Sequence, residues 1–66
     1  MTFRELLQEK NYTQEKLANE LGITQIAVSK WVCGKTVPTS KNVMRIAEIL
    51  KTDVSELVQM FYVRRK

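Results

Sequence analysis

The chain has 66 residues, with 11 Lys and Arg against 7 Asp and Glu, a formal charge of +4, one cysteine and no histidine. From that length one domain, residues 1–66, is expected, with no second domain to hold a small effector. With Cys33 alone and no histidine there is no internal disulfide, no Cys/His metal site and no Cys-His or Ser-His dyad, so neither an enzyme nor a cofactor is expected.

A domain this small buries only about 60% of the surface that its unfolded chain exposes, so self-association would help it and a homodimer is expected. The N-terminus carries Arg4, Glu5, Glu9 and Lys10 and lacks the apolar stretch of a signal peptide. No run approaches the roughly 18 apolar residues of a membrane span, so the membrane is not expected as a partner and the cytoplasm is the expected location.

In chain order, the residue spacing predicts an all-α chain of five helices. Phe3, Leu6 and Leu7 lie on one face of a first helix, about Thr2 to Lys10, which stops at the turn-tolerant Asn11. Thr13 caps a second helix, Gln14 to Leu21, with Glu15 favoured by the helix dipole and Leu17, Ala18 and Leu21 as its apolar stripe. Gly22 supplies the positive φ that ends this helix, Ile23 turns back to the core, and Thr24 caps a third helix that runs to about Cys33 and buries Ala27, Val28 and Trp31. Gly34 closes it, "KTVPT" is a loop, and Thr39 caps a fourth helix, Ser40 to Leu50, that buries Val43, Ile46, Ala47 and Leu50. "DVSE" reads as a capping box of Asp53 with Glu56, opening a short helix through Leu57 and Val58; an extended "MFYV" follows.

Two short helices that meet at a glycine, with small Ala18 at their crossing, form a helix-turn-helix pattern over about residues 14–33. The break at Gly22 lets the second of the two stand out from the domain. Its outward positions are Gln25, Ile26, Ser29, Lys30 and Cys33. Gln25 and Lys30 carry groups that read adenine or guanine edges, and Ile26 suits a thymine methyl. Charge agrees with this: between Glu20 and Glu48 there is no acid, while Lys30, Lys35, Lys41 and Arg45 all fall in the interval. A solvated basic surface is the plainer explanation, but its coincidence with the motif favours double-stranded DNA as partner.

At these residues the chain resembles the Cro/C1-type helix-turn-helix regulators, also called the XRE family. The resemblance rests on "TQEKLANELGITQIAVSKWVCGKTVP" and "IAEILKTDVSELV", with Gln14, Ala18, Gly22, Val28, Trp31, Gly34 and Pro38 at the family's spacing, and it covers Leu6 to Val58. It implies a compact five-helix domain of the lambda-repressor-like type, whose third helix enters the major groove as part of a dimer on a pseudo-palindromic operator, in most members as a repressor. By the same resemblance Gln14 contacts a phosphate and buttresses Gln25. Ile26, Ser29 and Lys30 fall where relatives touch bases, and Lys35 and Thr36 in the loop that grips the backbone; Thr24, at the head of the same helix, completes the expected DNA-binding set.

The sequence departs from the family in two places. Where the family often pairs a glutamate in "W-E-x-G" with an arginine of the first helix, this chain has Val32 and Leu7, which are expected to pack together in its place. Lys51 stands where a glycine is common before the last helix.

Several residues have a plain reading beside a sharp one. Trp31 shares a face with Val28 and reads as core rather than as a base-stacking platform, Cys33 as a passive surface thiol, and Glu5 and Glu9 as a solvated face rather than a catalytic pair. Ile26 meets either DNA or a protein partner. The apolar end of the chain, within 59–66, exceeds what so small a core can bury, so Phe61, Tyr62 and Val63 are expected at a dimer interface, with the final "RRK" a solubilising tail. The alternative function is an antitoxin or other protein-interaction module, with a protein partner and secondary DNA binding.

Overall fold

The computed structural model describes residues 2–63. Five helices follow one another: α1 (Phe3–Glu9), α2 (Gln14–Leu21), α3 (Gln25–Cys33), α4 (Ser40–Leu50) and α5 (Val54–Phe61). The all-α five-helix expectation is borne out.

One device starts four of these helices. The hydroxyls of Thr2, Thr13, Thr24 and Thr39 accept the N–H groups of Glu5, Lys16, Ala27 and Asn42 at 3.2, 3.0, 3.3 and 3.4 Å. Each satisfies a donor that the first helical turn leaves unpaired. The expected capping box at Asp53 is not formed, because the Asp53 side chain makes no cap hydrogen bond. A box forms instead at Thr2, whose own N–H reaches Glu5 Oε1 at 3.0 Å, so Glu5 is an N-terminal cap partner rather than part of a merely solvated face.

One device also ends four of them. Asn11, Gly22, Gly34 and Lys51 take positive φ of 60°, 73°, 79° and 54°. After each, the next residue's N–H closes on the carbonyl five residues back: Tyr12 on Leu7 at 2.9 Å, Ile23 on Ala18 at 3.0 Å, Lys35 on Lys30 at 2.9 Å and Thr52 on Ala47 at 3.0 Å. Lys51 thus adopts the left-handed turn that the glycine usual there would adopt.

The core joins all five helices, with Leu17, Val28, Ile46 and Leu57 fully buried. Leu7 belongs to it and Val32 packs against the same cluster, so both residues that stand in place of the expected ion pair are on the apolar core. Ala27, expected in the core, is half-buried.

The end of the chain differs from expectation. Met60 and Phe61 form the last turn of α5 rather than an extended segment. Phe61, expected at a dimer interface, is 5% exposed and meets Phe3 edge to face at 4.9 Å between ring centroids, so it belongs to the core of this domain. Tyr62 and Val63 stay exposed, and the "RRK" of 64–66 lies outside the described residues.

Candidate nucleic-acid interface

α2 and α3 make the most extensive helix contact in the domain, with Ala18 buried. Between them Gly22 reverses the chain at φ 73°. A Cβ added at Gly22 would meet nothing within 4 Å, so the glycine answers the backbone angle and not a shortage of space. Ile23 then packs against the core and Thr24 restarts the helix, which fixes the direction in which α3 leaves the turn.

α3 buries Val28 and Trp31 and turns the opposite face outward. Gln25, Ile26, Lys30 and Cys33 are exposed on that face and Ser29 is half-buried among them. Ile26 is 68% exposed, the most exposed large apolar side chain among the described residues. Among the described residues it stays uncovered, and the side chains beside it on that face are an amide, a hydroxyl and an ammonium. The face therefore offers one paired donor–acceptor, one apolar branch and one point charge along a single helix side.

The expected backbone-gripping residues continue from it. Lys35 and Thr36 are exposed directly after Gly34, and both of their N–H groups bond the Lys30 carbonyl, at 2.9 and 3.5 Å. At its other end the loop is pinned by buried Pro38, whose carbonyl accepts the Tyr62 hydroxyl. Gln14 is half-buried at the head of α2, and among the described residues no hydrogen bond joins it to Gln25.

Two features were not legible in the sequence. The Arg45 guanidinium of α4 donates to the carbonyls of Glu20 at 3.2 Å and Leu21 at 3.4 Å, the last two residues of α2. Tyr12 donates its hydroxyl to Glu20 Oε2 at 3.1 Å, while the Lys16 ammonium lies 4.8 Å from the centre of its ring. Desolvation first, and then the Glu20 carboxylate, raise the Tyr12 phenol above its ordinary pKa. The Arg45 and Tyr12–Glu20 hydrogen bonds join residues 8 to 25 positions apart, beyond the reach of a local spacing argument.

Residues 3–57 match the family model described as helix-turn-helix, and the chain belongs to this family, in its XRE type. It is 37% identical over 62 residues to the HTH-type transcriptional activator BcrR of Enterococcus faecalis, a match covering 88% of this chain and 30% of that one. It is 36% identical over 47 residues to the cryptic phage CTXphi transcriptional repressor RstR of Vibrio cholerae, covering 71% of this chain and 42% of that one. The chain thus spans less than half the length of these two relatives. No solved structure matches it significantly. No described helix is long and apolar enough to cross a membrane.

Proposed function

We propose that this domain binds double-stranded DNA in a sequence-specific way and regulates transcription, with α3 in the major groove. The exposed, uncovered Ile26 between Gln25 and Lys30 carries the reading, because an apolar branch held out beside base-reading groups gains most from a groove that contains thymine methyls. Gln14, Thr24, Gln25, Ile26, Ser29 and Lys30 form the contact set, and Lys35 with Thr36 grips the backbone. The names of BcrR and RstR support transcription regulation. RstR supports repression, which is the proposed sign, and BcrR the opposite; a reporter fused to the bound promoter separates the two.

The proposed form on DNA is a homodimer on an inverted repeat, its two α3 helices about 34 Å apart. With Phe61 in the core, the proposed contact falls to Tyr62 and Val63. Val63 shares an open groove of about 830 Å³ with Val37 and Met60.

The test is a duplex selected by the protein from a randomised library, titrated against salt. The logarithm of affinity should fall linearly with that of salt, with a slope of about −0.9 per phosphate neutralised. Lys35→Ala should weaken every duplex alike and flatten the slope. If no duplex is enriched and no salt-dependent binding is seen, the proposal fails.

A further inference from the structure

The last four carbonyls of a helix have no partner within it. In α2 these belong to Ala18, Asn19, Glu20 and Leu21. The turn itself satisfies the first two: Ile23 N–H reaches Ala18 at 3.0 Å and Gly22 N–H reaches Asn19 at 3.2 Å. It satisfies neither Glu20 nor Leu21. Their partner comes from α4, where the two terminal nitrogens of Arg45 divide between them, Nη2 to Glu20 and Nη1 to Leu21.

We infer that Arg45 is a positioning residue for α3: it completes the C-terminal cap of α2 and ties the turn at Gly22 to the scaffold helix α4. The inference deepens the DNA-binding reading and rests on it for its functional consequence. Three physical points support it. A cation at a helix C-terminus lies at the negative end of the helix dipole. The planar guanidinium can serve two adjacent carbonyls at once, which an ammonium on a flexible stem cannot do with the same geometry. The carbonyls it holds immediately precede Gly22, so a shift of the cap changes the direction in which Ile23 and Thr24 launch α3.

Arg45 therefore differs from Lys35, although both belong to the acid-free segment between Glu20 and Glu48. Its side chain is exposed, but the guanidinium is held by the two α2 carbonyls. It sets specificity through the orientation of the reading helix, not affinity through phosphate neutralisation.

The experiment compares Arg45→Met and Arg45→Lys with the parent on two DNA probes, a duplex that the parent selects from a randomised library and a random-sequence duplex of equal length. It also records the amide resonances and hydrogen exchange of Gly22, Ile23 and Thr24 without DNA. Arg45→Met should lose about tenfold or more on the selected duplex and less than about twofold on the random one, the scale of one misplaced base contact. Its salt slope should stay at the parental value, and the three amides should shift and exchange faster. Arg45→Lys, with one carbonyl still in reach, should fall between, and it carries the test if Arg45→Met does not fold. An equal loss on both duplexes with a shallower slope, restored by lysine, would make Arg45 a phosphate contact and overturn the inference, as would parental binding by Arg45→Met. If the parent selects no duplex, the DNA-binding reading fails by itself; the clamp then stands or falls on whether the amides of the turn respond to Arg45→Met.

Discussion

α3 with its two flanking turns and the scaffold of α1, α4 and α5 are built from the same parts and put to different uses. Both start helices on threonine caps and end them on a left-handed residue with a bond to the carbonyl five residues back, α5 excepted, which has no side-chain cap and ends on a right-handed Tyr62. Around α3 the left-handed residues are Gly22 and Gly34; in the scaffold they are Asn11 and Lys51. α3 buries only Val28 and Trp31 and leaves Ile26 exposed, whereas α4 alone buries Val43, Ile46, Ala47 and Leu50. The difference separates two tasks. Stability is concentrated in the scaffold, and α3 is carried on strain-free turns with its chemistry facing out.

The largest effect that could break this comparison lies at Phe61. Removing a buried phenylalanine typically costs about 3–5 kcal/mol, a large share of the roughly 5–15 kcal/mol that holds a domain folded. Phe61→Ala should therefore unfold at much lower urea, since it removes the buried ring that meets Phe3 in the core. Val63→Ser, on an exposed residue, should change the urea midpoint little and instead lower the mass seen in sedimentation if the proposed homodimer uses that surface. A Phe61→Ala protein as stable as the parent would return Phe61 to the surface and remove the scaffold's claim to the stability.

From the other side, Ile26 should matter to binding and not to folding. Ile26→Ala is expected to cost about 1–3 kcal/mol on the selected duplex, leave random DNA nearly unchanged and leave the urea midpoint where it was. Replacing thymine by uracil removes only the methyl group. At one position of the half-site it should weaken the parent and cost the variant almost nothing further. Full tolerance of uracil at every thymine would assign Ile26 to a protein partner instead.

How much of this was readable in advance follows from the range of each interaction. The threonine caps of α2, α3 and α4, Gly22, Gly34 and the stripes of α2 and α4 act within one or two helical turns, and local spacing locates them; the Thr2 cap appears only in the structure. The sequence points to a capping box at Asp53 although one forms at Thr2, because both segments have an acid three residues on and only the side-chain geometry separates them. In the sequence the four apolar residues of "MFYV" look like surplus, whereas continuation of α5 by one turn puts Phe61 against Phe3. Arg45, 24 and 25 residues from its partners, looks in sequence like one more cation in a basic segment.

The turns themselves allow a sharper test. At Gly22 a Cβ would touch nothing within 4 Å, so Gly22→Ala isolates the price of a left-handed alanine, about 1–2 kcal/mol. Urea unfolding should show a loss of that size. A loss well above it would mean that the turn must shift to admit the methyl, and the specificity of the variant for its selected duplex should then fall as well.

The smallest effect is the reciprocal change in the scaffold. Lys51 holds φ 54° and Thr52 N–H closes on Ala47 at 3.0 Å, so the turn is complete but its left-handed residue carries a Cβ. Lys51→Gly removes that strain, of about 1–2 kcal/mol, while loosening the unfolded chain by about 0.4–1 kcal/mol. The net gain should be about 0.5–1 kcal/mol, read as a higher urea midpoint at unchanged slope. Lys51→Ala keeps the Cβ and drops the ammonium, so it should stay close to the parent. If alanine gained as much as glycine, the lysine charge and not the backbone would be the source of the cost. If glycine gained nothing, the left-handed turn before α5 would be as comfortable with lysine as with glycine, and the contrast with Gly22 would reduce to which helix each turn happens to precede.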